Sequence, residues 1–119
     1  MSMTFTHTLT GELTLIIPPA TTYYVEMQTV PTSVTLSLKL LSAGATAVVQ
    51  SAFESRNHFL NTAQSDADLL YSYPTIGGTV TPSITADVPY CSIPSPTVIR
   101  IQNTSSVGKN IRVSLRAIR

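Results

Sequence analysis

The chain alternates apolar and polar residues with a period of two, again and again, and this constrains its fold more than any other feature. Val34, Leu36, Leu38 and Leu40 share one parity, while Thr35, Ser37 and Lys39 hold the other. Ile111, Val113, Leu115 and Ala117 do the same against Arg112, Ser114 and Arg116. Successive side chains of a strand point to opposite faces, so each run reads as a strand with one buried and one solvated face. Leu9, Leu13, Leu15 and Ile17 form a similar row that ends at Pro18-Pro19, because proline cannot donate to a ladder. Tyr23, Val25 and Met27 alternate with Tyr24, Glu26 and Gln28, and Val30-Pro31 breaks the chain after them.

Turn residues divide the remainder. Ser42-Ala43-Gly44-Ala45 reads as a hairpin turn returning into a strand from Thr46 to Phe53. Helical spacing of Val49, Phe53, Leu60 and Ala63 keeps a short helix within 47–64 as the alternative. Asp68 to Tyr73 reads as a strand. Gly77-Gly78 makes a turn into a strand from Thr79 to Val88 that Pro82 interrupts, and 89–96, with Pro89, Pro94 and Pro96, reads as a rigid extended loop. Thr97 to Gln102 and Ile111 to Ile118 read as a C-terminal hairpin across 103–110. About seven to eight short strands with frequent turn signals predict an all-β fold, an antiparallel β-sandwich or jelly-roll-like barrel. At 119 residues the chain is the size of one domain, with 1–10 as an N-terminal arm.

Charge narrows the function. Only 11% of residues are charged against 43% hydrophobic, and serine and threonine fill the gap. Such a surface has little electrostatic repulsion opposing self-association, which suits a component of an assembly. The few charges are unevenly placed. Residues 1–87 carry Lys39 and Arg56 against six acids, whereas 88–119 carry Arg100, Lys109, Arg112, Arg116 and Arg119 and no acid. On the hairpin register Arg100, Arg112 and Arg116 project from one face, which leaves either a solvated face or a cationic stripe for an acidic protein partner. Nucleic acid fits less well, because aromatics beside the basic residues are missing. Tyr23, Tyr24 and Phe5, with Tyr71 and Tyr73, are the aromatic candidates for an interface or a sugar platform.

Catalytic and metal chemistry find little support. The histidines are His7 and His58, no G-x-S-x-G elbow accompanies them, and the single Cys91 sits between prolines. One cysteine and two distant histidines lack zinc spacing. Asp66 and Asp68 are weak calcium candidates, and loop carboxylates capping backbone amides explain them as well. The expectation is no enzyme and no cofactor. Met1-Ser2-Met3-Thr4 lacks a basic n-region, and Leu13 to Ile17 is too short to span a bilayer, so synthesis in a cytoplasm and no membrane partner are expected.

Asp66-Ala67-Asp68-Leu69-Leu70-Tyr71 is similar to the DADLY signature of bacterial pre-peptidase C-terminal β-sandwich domains, which implies a carbohydrate-binding or adhesive module. In short length, Ser/Thr-rich strands, low charge and arm-like N-terminus the whole chain resembles small β-sandwich virion proteins of tailed bacteriophages, above all capsid decoration (cement) proteins. That resemblance implies a place in the virion, a major capsid protein or other virion subunit as partner, and a homo-oligomer, often a trimer, that reinforces joints between coat subunits.

Overall fold

The alternating rows fold as strands that bury every second residue. The computed structural model describes residues 5–54 and 70–119. Among them are eleven strands and no helix: β1 His7–Leu9, β2 Glu12–Ile17, β3 Thr21–Met27, β4 Ser33–Leu40, β5 Ala47–Ala52, β6 Tyr71–Ser72, β7 Thr75–Ile76, β8 Thr79–Val80, β9 Val88–Pro94, β10 Val98–Asn103 and β11 Ile111–Ile118. In β4 the buried side chains are Val34, Leu36 and Leu38, and in β11 they are Ile111, Val113 and Leu115.

The strands form a five-stranded sheet in the order β1-β3-β10-β5-β6, a four-stranded sheet in the order β2-β11-β4-β9, and the small β7-β8 hairpin. Among the described strands only β1 and β3 pair in parallel. The core between the sheets is aliphatic: Ile17, Leu36, Leu38, Ile111 and Leu115 from one side meet Val25, Met27, Val49, Ile99 and Ile101 from the other. Each such side chain contributes roughly 1.5–3 kcal/mol on leaving water.

The pairing has a simple plan. Ile17 faces Ile111, Val25 faces Ile99, Leu36 faces Cys91 and Ser51 faces Ser72. As one partner advances along the chain, the other retreats at nearly the same pace. That is one long antiparallel hairpin, turned between β5 and β6 and rolled up so that β11 also pairs with β4 and β10 with β5. Eight strands so arranged in two sheets are a jelly roll. The fold is the expected sandwich, and the barrel is not closed.

Rolling overturns several local expectations. β10 and β11 are not a hairpin, because they lie in different sheets. The 104–110 segment carries the chain across the sandwich. Ser42 to Thr46 likewise crosses between sheets instead of turning β4 back on itself. The row from Leu9 to Ile17 splits at Thr10-Gly11, with β1 in one sheet and β2 in the other. Ala47–Ala52 is strand, and 55–64 lies outside the described residues. The expected 79–88 strand is only β8, a run of bends and the isolated bridge Ala47–Ile84.

The 89–96 segment is also corrected: it is mostly β9. Leu36 pairs with Cys91 and Leu38 with Val88, so two residues, Pro89 and Tyr90, stand opposite Ser37. This bulge lets Val88 and Cys91 both face inward although they differ in parity. Pro89 is tolerated because β9 is an edge strand and Pro89 sits in the bulge.

Candidate interaction surface

The five C-terminal cations do not form one stripe. Arg100 leaves the outer face of the five-stranded sheet, whereas Arg112 and Arg116 leave the outer face of the four-stranded sheet, on the opposite side of the sandwich. The Arg100 guanidinium lies 4.0 Å over the Tyr71 ring and donates to Gln50 Oε1. Arg119 donates to the carbonyls of Thr29 (2.9 Å) and Thr10 (2.8 Å), tying the last residue to two loops. Lys109 extends over Gly44, where a Cβ would meet its Nζ at 2.9 Å. Arg116 pairs with Glu12 at 3.0 Å, an exposed pair of small energetic weight. Arg112 is exposed between Ile16 and Lys39 and makes no ion pair among the described residues. Lys39 turns instead to Asp87. The Leu40 amide and then Lys39 hold the Asp87 carboxyl below its usual range.

The aromatic candidates also separate. Tyr23 points inward at the sheet margin and tilts against His7, with ring centroids 4.7 Å apart. Tyr24 is on the outer face across from Arg100. Phe5 and Tyr71 cover Ala52 and Val98. Within 1–10, residues 7–9 form β1, and Thr6 exchanges hydrogen bonds with the Tyr24 backbone. Residues 1–4 are outside the described set, as are His58, Asp66 and Asp68. Cys91 is buried among core aliphatics, and burial pushes its thiol up. No group of three metal-ligating side chains occurs among the described residues.

Tertiary structure brings other residues together. On the outer face of β2-β11-β4-β9 the hydroxyls of Thr14, Ser114, Ser37 and Thr35 floor a shallow groove of about 380 Å³. The bulge lifts Tyr90 along one side, 74% exposed, and the Glu12–Arg116 pair lies at the other. Thr14 and Ser114 hydroxyls are hydrogen-bonded at 3.2 Å. The groove therefore offers hydroxyls, one aromatic ring and one ion pair, and beyond it the same face carries the Lys39–Asp87 pair and Arg112, which makes no ion pair among the described residues. Strand alternation already placed Thr35, Ser37, Ser114 and Thr14 on outward faces. Tyr90 was missed because a bulge has no period, and its only trace in the sequence is Pro89 beside a parity break.

Fold and face together define a jelly roll with an open, hydroxyl-floored outer sheet. Compared with family models, curated proteins and solved structures, the chain finds no match.

Proposed function

We propose that the chain is a non-enzymatic virion structural protein, a capsid decoration or cement protein that docks by its β2-β11-β4-β9 face and braces neighbouring coat subunits. The observation that carries this reading is the composition of that face: Tyr90 is largely exposed, Arg112 is unpaired among the described residues, and the surface between them is hydroxyl-bearing. A rigid aromatic and an arginine are the side chains that most often anchor protein interfaces. Hydroxyls there form hydrogen bonds without the desolvation cost of charge. The rolled architecture adds support by analogy only, since jelly rolls serve capsids and lectins alike. Bound at many equivalent sites, copies of modest affinity would reinforce a shell together. Particles carrying the protein should resist heat or osmotic shock better than particles without it. Equal resistance would remove the reading.

A second reading rests on the groove itself. Tyr90 across the groove from the Glu12–Arg116 pair, with four hydroxyls between, is also the chemistry of a saccharide site, an aromatic face for C–H groups and polar atoms for hydroxyls. A glycan array decides it: a hit lost in Tyr90→Ala favours the saccharide, and no hit on any glycan removes it.

A further inference from the structure

The four lateral edges of the two sheets are not alike. β6, one edge of the five-stranded sheet, is two residues long, and β1, the other, is three. β9 is longer but carries Pro89, a bulge and Pro94, is followed by Ser95 at positive φ, and has β7 against it. Short strands, prolines and bulges are the devices that stop edges from pairing with other chains. β2 has none of them. It runs six residues without proline, glycine, lysine or bulge, in unbroken register with β11.

The direction of its backbone groups follows from that register. Ala117 N donates to Gly11 O at 2.8 Å, so the residues bonded to β11 are those of the same parity, Leu13, Leu15 and Ile17. The N–H and C=O groups of Glu12, Thr14 and Ile16 are then directed away from the sheet. Ile16 is 51% exposed and Leu13 is half-buried at the margin of the core.

We propose that β2 is a pairing edge for a second copy of this chain, joined antiparallel about a twofold axis at Thr14 into one continuous eight-stranded sheet. The strand is complementary to itself in this register. Thr14 faces Thr14, a favourable cross-strand pair, and Glu12 faces Ile16 of the second copy. All outward backbone groups of 12, 14 and 16 find partners. Leu13 meets Leu15 of the second copy on the inner face and loses its remaining water contact. On the outer face Glu12 comes into line with Arg112 of the second copy, with Ile16 of that copy between them, because Arg112 is the neighbour of Ile16. The dimer stands independently of the particle reading, and would merge two outer faces into one.

Sedimentation of the purified chain across a concentration series tests it. The apparent mass should double as concentration rises. Thr14→Pro removes an outward N–H, which an edge strand tolerates, together with the exposed hydroxyl bond to Ser114, and Ile16→Lys adds an edge charge. Both variants should stay monomeric at every concentration, with circular dichroism of the parent. Should Thr14→Pro fail to fold, Ile16→Lys carries the comparison. A parent that is monomeric throughout, or any oligomer that survives both substitutions, overturns the proposal.

Discussion

Asn103 has a fully buried side chain that ties β10 to the other sheet and to the crossing 104–110 segment. Its amide nitrogen donates to Ile17 O (2.8 Å) at the end of β2 and to Lys109 O (2.9 Å), while its oxygen accepts from Ser105 N (3.0 Å). Ser105 in turn exchanges hydrogen bonds with the Thr46 backbone. Asn103→Leu would strand these groups without water, so a loss on the order of 3 kcal/mol is expected in urea unfolding. By contrast Arg112→Ala, at an exposed site, should change stability by less than about 0.5 kcal/mol while weakening any docking through that face. Asp87 gives a pH signature. Its folded value is lowered, so its contribution is present above the ordinary value of 3.8 and is lost as pH falls through the lowered one. The Tm difference between the parent and Asp87→Asn should therefore close on acidification below that ordinary value and stay constant toward neutrality.

At the scale of elements, β9 shows how one extra residue reconciles a sequence with a sheet. Val88, Cys91 and Ile93 are all buried, which strict alternation forbids and the Pro89-Tyr90 bulge permits. Deleting Tyr90 should leave a regular strand with the same inward row, Val88, Cys91 and Ile93. The variant is expected to fold with a modest loss of stability, seen by thermal melting. It should also self-associate more, seen by light scattering, because a straightened edge is a better template. The same contrast between protected and unprotected edges singles out β2.

For the whole molecule, rolling makes the last strands central. β11 lies between β2 and β4, and β10 lies between β3 and β5. Neither sheet can close before the C-terminal strands arrive. Chains ending at Asn110 should therefore lack cooperative unfolding, and the complete chain should fold on the millisecond-to-second scale expected of non-local β pairing, as stopped-flow refolding would show.

The sequence by itself determined the all-β class, most strand positions and the inward rows of β2, β4, β10 and β11, because alternation against a single core is a local property of the chain. It also marked where β2 ends, since Pro18 cannot continue a ladder. It did not reveal which strands share a sheet. Ile99, Ile101, Ile111 and Val113 have the same pattern in a hairpin as in two facing sheets, and only the rolled tertiary structure, burying both rows against each other, distinguishes the two. For the same reason Arg100 and Arg112 were assigned to one side and lie on opposite ones. Tyr90 and the open edge of β2 likewise exist only as relations between strands far apart in the chain.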